Sequence, residues 1–433
     1  MTVKNTNSHT TKGGLLSNNN YKYLWTGRVV SNLGDSAQHI GVYFYLAHTT
    51  NSAPFVGIAA FLSGFASLLS YPLSGIFADR YSRKNIMIIC DTLSGFVVLI
   101  LVLSFFFMQN KFFHIIPYII VICSMLLSII STFLWPAFGA IIPDIVERKD
   151  LSSANSLYKS AIRIGNVIGE TTSGFIYNAF GASKLFAFNS LTFFLSALLI
   201  SRLSNLNIIP QKTTISGNRF SLPKLINEFR DGLHAITNIN GATEFFIMAL
   251  VVNFLATPIF VLMPFQVARI FGSGAATYGL LMASFSVGIV VGYILSGRHL
   301  IKFKNPYIII YAIVIMCAFF IFFALSENIY LSYLSLFFAG VSNGFWSIIF
   351  ETSVQLIMPK ESLGRIYSLF GLMSGGLTPI ASLFSGFTLA MLDNNTRILF
   401  SVCALLMTAF PVIMLMNKNF VSFFDVLRNN YSE

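Results

Sequence analysis

The sequence predicts an all-α membrane protein: twelve transmembrane helices in two pseudo-symmetric six-helix bundles. Three observations carry this expectation. The composition is strongly apolar, span-length uncharged runs sort the basic residues to one side, and the second half of the chain repeats the first.

Of 433 residues, 55% are hydrophobic, 45 are Phe, and only 10% are charged, where soluble domains carry roughly 25% charged residues. With a mean hydropathy of +0.74, no polar surface is left to cover a soluble core. Cytosolic enzymes, nucleic-acid binders and disordered scaffolds are excluded together. The net charge of +11 therefore belongs to membrane topology rather than to nucleic acid. Cys90, Cys123, Cys317 and Cys403 all sit in apolar runs, with neither a disulfide framework nor metal-ligand spacing. No cofactor or metal is expected.

A spanning helix needs about 20 mostly apolar residues. Runs free of Asp, Glu, Lys and Arg, plus two charged but helix-like stretches, place spans at 23–47, 54–78, 86–108, 115–142, 153–179 and 182–202. The second set is 243–268, 275–297, 306–326, 329–357, 365–391 and 397–417. The predicted organisation is an N-terminal tail over 1–22, a bundle over 23–202, a linker over 203–242, a second bundle over 243–417 and a tail over 418–433. Within the linker, Leu222–Ile236 alternates apolar and charged residues as a surface helix does, though a plain connecting helix fits equally.

Basic residues then orient the chain. With the N-terminus inside, only Lys111, Lys184, Arg269 and Arg397 of the 27 Lys and Arg fall outside. Both termini are thus expected in the cytoplasm, and the polar first twenty residues contain no signal-peptide core.

The repeat appears when the chain is slid along itself. An offset of 212 lays Leu151, Ser156, Leu157, Ile168, Ser173, Gly174 and Phe175 on Leu363, Ser368, Leu369, Ile380, Ser385, Gly386 and Phe387. An offset of 222 lays Tyr71, Leu73, Ser74 and Gly75 on Tyr293, Leu295, Ser296 and Gly297. Span 5 maps onto span 11 and span 2 onto span 8. A six-span shift with kept orientation is a parallel repeat about an axis along the membrane normal.

An acid at mid-helix costs about 2.5–3.5 kcal/mol on insertion scales, so it must face protein or water. Three spans carry one within a polar stripe. Arg28, Asn32, Asp35 and His39 share one face of span 1, and Lys159, Arg163, Asn166 and Glu170 share one face of span 5. In span 10, Asn343, Ser347, Glu351 and Gln355 recur every four residues. The three stripes are expected to meet in one aqueous cavity. Asp35 has two open roles there, neutralising Arg28 or Arg163, or meeting protons and substrate; Glu170 has the same choice through Arg163. Glu351 has no basic residue in its own stripe, and burial disfavours a charged carboxyl, which makes it the leading proton-coupling candidate. His39 is expected to line the cavity as a hydrogen-bonder.

Gly165-x-x-x-Gly169 and Gly288-x-x-x-Gly292 permit close helix approach. Pro264 and Pro379 interrupt backbone bonding inside spans 7 and 11.

Between spans 2 and 3 stands Gly75-Ile-Phe-Ala-Asp79-Arg80-Tyr-Ser-Arg83-Lys84. It resembles the signature of the major facilitator superfamily, Gly-x-x-x-Asp-Arg-x-Gly-Arg-Arg/Lys, with Ser82 in place of the second Gly. That resemblance implies the major facilitator fold and a latch between the inner helix ends of the two bundles. Asp79 would favour the N-terminus of span 11 near Gly364-Arg365, and Asp91 would hold the same basic cluster. Tyr23 to Gly27, Ser31 to Asp35, Trp135-Pro136-Ala137, Ala187-Phe-Asn189 and Leu363 to Ser368 are similar to the bacterial enterobactin and macrolide exporters. The resemblance implies proton-driven export of small amphipathic molecules. One departure stands out, because related antiporters often carry Gly-Pro in span 5 where this chain has Gly169-Glu170.

The expected protein is therefore not an enzyme but a secondary transporter of the bacterial inner membrane, acting as a monomer. Its partners are a small-molecule substrate, protons and the lipid bilayer, without nucleic acid. Uptake of a siderophore or nutrient is the alternative, and a non-transporting receptor or membrane enzyme is a weaker one: the six His are scattered and no Walker loop is present.

Overall fold

The computed structural model describes residues 15–108, 113–147, 150–204, 230, 233–234, 236–299, 307–357 and 363–430. The expected surface helix over Leu222–Ile236 lies largely outside them, and among the described residues there is no strand. The helices are α1 (Asn19–Thr50), α2 (Ala53–Arg80), α3 (Arg83–Phe107), α4 (Ile116–Ile145), α5 (Leu151–Ser201), α6 (Ala242–Val261) and α7 (Met263–Arg269). They continue as α8 (Ala275–His299), α9 (Ile308–Leu325), α10 (Ile329–Ile357), α11 (Leu363–Met391), α12 (Thr396–Met414) and α13 (Lys418–Asn430).

Local chemistry sets the breaks. Asn18 caps α1 by accepting from the backbone N–H of Asn20 and Tyr21, and Ser52 caps α2 at Phe55. At Gly181 the backbone turns to φ 78°, a left-handed conformation that suits glycine, so α5 folds into two arms that each cross the membrane. Leu262 separates α6 from α7, with Pro264 in the first turn of α7, where its missing N–H has no intrahelical role; together the two helices make one span.

Nine helices among the described residues are long and apolar enough to span. One of them contains the Gly181 turn and counts twice, and α1 and α11 complete the twelve. The expected boundaries hold to within a few residues. Part of the expected C-terminal tail is helical: α13 buries Phe420, Phe423 and Phe424, with Phe423 4.7 Å from the ring of Phe245 and Phe424 5.1 Å from that of Tyr307.

Two six-helix bundles result, α1–α5 and α6–α12. Within the first, α1 packs on α5, α2 on α4 and α3 on α5; within the second, α8 packs on α10 and α9 on α10 and α12. The bundles meet where α2 crosses α11 and α5 crosses α8. These crossings are copies of each other. A methyl group built on Gly386 of α11 would stand 2.5 Å from the carbonyl oxygen of Ala53 in α2, and one on Gly174 of α5 would stand 2.5 Å from that of Ala275 in α8. Gly174 and Gly386 differ by the first repeat offset, and Ala53 and Ala275 by the second. Only glycine permits such approach of two backbones.

Both crossings lie toward the face opposite the chain termini, here the distal face. Arg269 closes it further, donating to Asn51 Oδ1 of the first bundle at 2.7 Å and to the carbonyl of Asn394 at 3.2 Å. Phe44 of α1 also stacks on Tyr278 of α8, with ring centroids 6.4 Å apart.

Candidate functional site

The polar stripe of α1 opens into a cavity of about 360 Å³ inside the first bundle. Arg28, Asp35, Gln38 and His39 line it from α1, Asp91 from α3, and Ser124, Ser128, Ser131 and Trp135 from α4. Tyr43 and Phe193 supply further aromatic wall. This volume falls in the range of small-molecule pockets and suits a small ligand or one end of a larger one.

Charge is organised by a buried pair at its back. Arg28, 5% exposed, places Nη1 3.5 Å from Asp91 Oδ1, and Asp91 is fully buried. Ser196 of the second arm of α5 donates to Asp91 Oδ2 at 2.6 Å, and Ser31 lies 3.4 Å from Arg28. The Tyr158 hydroxyl lies within electrostatic reach of the guanidinium. The positive charge is therefore answered from three helices. Asp35, within electrostatic reach of both Arg28 and Asp91, turns an open surface to the cavity it lines. His39 does likewise and packs on Tyr43 at 4.8 Å. Gln38 accepts from Asn189 Nδ2 at 3.0 Å, which fixes its amide at the cavity wall.

The stripes of spans 1 and 5 do meet, through Asn32 Nδ2 donating to Asn166 Oδ1 at 2.7 Å. Beyond that bond they diverge: among the described residues, the cavity that takes Asp35 is lined by neither Glu170 nor Glu351. Glu170 is 9% exposed and accepts from Ser286 Oγ of α8 at 2.8 Å, in the seam between the bundles. Arg163 also turns to α8, with Nη2 3.1 Å from the Tyr293 hydroxyl and its guanidinium 5.6 Å from the ring centre. Neither Asp35 nor Glu170 takes Arg163 as a close partner. Glu351 and Gln355 are exposed on α10 outside the cavity lining, and Asn343 packs within the second bundle, 3.6 Å from the sulfur of Met316. The cause is rotational setting: the glycine crossings aim one side of α5 at α8, and its acid goes with it.

Part of the loop signature serves the first bundle. Arg83 pairs with Asp144 of α4 at 2.5 Å, and Lys84 donates to the carbonyl of Leu203 at 2.6 Å. Both tie together helix ends of the first bundle. Asp91, expected to hold this basic cluster, sits two turns deeper in α3 and serves Arg28 instead. Gly75, Asp79, Arg80 and Arg365 stand in helices, but their side chains lie outside the described residues.

Sequence reasoning missed Ser196, Tyr158, Ser286 and the serines of α4. The last had a signal: Ser124, Ser128 and Ser131 recur at spacings of four and three on one helix face. The others are partners from distant helices and leave no local pattern.

A family model described as transmembrane secretion effector matches residues 11–423. The chain belongs to that family, within the major facilitator superfamily. Its members are transporters rather than enzymes. The chain is 23% identical over 378 residues to macrolide efflux protein A of Streptococcus pyogenes, covering 85% of this chain and 89% of that one. It is 24% identical to the staphyloferrin A transporter of Staphylococcus aureus, covering 62% and 65%, and 22% identical to the enterobactin exporter of Shigella boydii, covering 64% and 63%. In fold it is similar to a nucleoside transporter at a TM-score of 0.69 and 14% identity, covering 94% of this chain and 100% of that one. A bacterial homologue of the iron transporter ferroportin in an inward-facing state gives the same score and identity, covering 95% and 99%.

Proposed function

We propose that this transporter exports a small amphipathic molecule in exchange for protons, with Asp35 as the group for which proton and cargo compete. The observation that carries this reading is the division of charge in the cavity. Asp91 and its hydrogen bonds already answer Arg28, which leaves Asp35 as an acid turned toward the occupant. Protonation removes that charge, so a proton and a cargo group that prefers a carboxylate bind in alternation. Trp135, Tyr43 and Phe193 offer apolar faces to the remainder of the molecule.

In this reading the protein acts as a monomer in a bacterial cytoplasmic membrane with both termini inside. The units that rock against each other are 23–202 and 243–417, and the distal face is external. The names of the macrolide and enterobactin exporters support the outward direction.

Everted membrane vesicles test this with a macrolide, enterobactin and staphyloferrin A as trial cargos. The wild type accumulates at least one of them on energisation, and Asp35→Asn still binds it but no longer responds to a pH gradient. A D35N protein with wild-type gradient dependence overturns the role of Asp35. Accumulation confined to right-side-out vesicles makes the protein an importer.

A further inference from the structure

The repeat makes one residue anomalous. A methyl group on Gly57 of α2 would stand 2.6 Å from the carbonyl oxygen of Ser382 in α11. At the equivalent α5–α8 crossing, Gly279 faces the backbone carbonyl of Glu170. Ser382 and Glu170 are thus repeat counterparts at matched backbone positions. The Ser382 hydroxyl satisfies itself on the carbonyl of its own helix at Thr378, 2.9 Å away. Close packing at this kind of crossing does not need an acid. Glu170 nevertheless projects a carboxyl group into the seam and across it, to Ser286 of the other bundle.

We infer that Glu170 is an acidity sensor for the distal seal: protonated, it fastens α5 to α8, and ionised, it favours parting of the two bundles on that face. A carboxylate buried against one hydroxyl loses most of its hydration, a cost that a single hydrogen bond does not offset. A neutral acid bears the same burial at much lower cost and keeps its bond to Ser286. Opening the seam returns water to the group and removes the penalty on its charge.

Its surroundings leave this choice to solvent protons. On α5 the charged neighbour is Arg163, two turns away and engaged with Tyr293. From α8 come Ser286 and Tyr278. From α1, the close neighbour of this part of α5 is Ser36, packed at Gly169, while Asp35 lines the cavity. Glu170 itself is absent from the cavity lining. Its proton is therefore exchanged when the seam opens and is not delivered through the transport site. The role is regulatory and stands apart from Asp35.

The test reads conformation rather than transport. Spin labels at Thr49 and Asp393, exposed on the distal face of opposite bundles, report the gap in the full chain reconstituted in nanodiscs without cargo. In the wild type the distance lengthens as pH rises from mildly acidic to mildly alkaline. Glu170→Gln, which retains an oxygen for Ser286, loses this response, whereas Ser286→Ala and Glu170→Asp keep one. A wild-type response in E170Q overturns the inference, and so does its loss in all three variants, which would assign it to the hydrogen bond alone. Hydrogen exchange on unmodified protein gives a second readout. Protection of 166–178 and 275–286 falls as pH rises; a flat profile contradicts the sensor. Failure of D35N in the vesicle assay leaves these outcomes unaffected.

Discussion

Arg28 shows how much of the site is set by single side chains. A guanidinium at 5% exposure needs its charge answered, and Asp91 at 3.5 Å does so with Ser196 and Tyr158 in support. Removing one member of a buried pair is costly because the other charge remains behind, typically about 3–5 kcal/mol. Asp91→Asn is therefore expected to lower the thermal unfolding midpoint in detergent, and adding Arg28→Gln to recover part of the loss. If the double variant is no more stable than D91N alone, the pairing is not what Asp91 supplies. At this scale the sequence was half legible. Helical spacing put Arg28, Asp35 and His39 on one face, and the cavity uses all three. The partners Asp91, Ser196 and Ser286 come from helices far away in the chain, and only the packed rotation of each helix selects them. Glu351 illustrates the converse: a regular stripe on α10 carried the acid, but not into the cavity.

At the scale of elements, glycine placement governs how the bundles touch. Gly174 and Gly386 let α5 reach α8 and α11 reach α2 backbone to backbone, and Gly64 receives Pro379, which a methyl there would meet at 2.5 Å. Side chains forced into such contacts cost about 1–3 kcal/mol each through overpacking. Gly174→Val and Gly386→Val are each expected to widen the Thr49–Asp393 distance at constant pH. The repeat symmetry predicts shifts of similar size for the two. An unchanged distance in both would mean that these crossings do not hold the distal face shut. Paired glycines were visible in the sequence, and so was a break between the spans at 153–179 and 182–202, where Gly181 turns the backbone. Which helix each glycine faces was not, since a small residue marks a close approach without naming its partner.

Across the whole molecule, the fold was the most legible level. Twelve spans follow from run length and hydropathy, and the two offsets that align the halves reappear as matched close approaches of α2 to α11 and α5 to α8. α1 is the weakest span by apolarity because its polar stripe serves the cavity. The seals formed by Arg269, Phe44 and the glycine crossings all lie on the face away from the termini. Two bundles joined at that face, with a charged cavity inside the first, form an arrangement suited to alternating access. Proton release on cargo binding tests its central claim most directly. The purified protein, in weakly buffered solution, is titrated with whichever trial cargo the vesicle assay accepts. Competition at Asp35 predicts release of up to about one proton per molecule, depending on how far the site is protonated at the working pH, and no release from D35N. Equal release from wild type and D35N would contradict it, and would move the coupling group elsewhere in the chain.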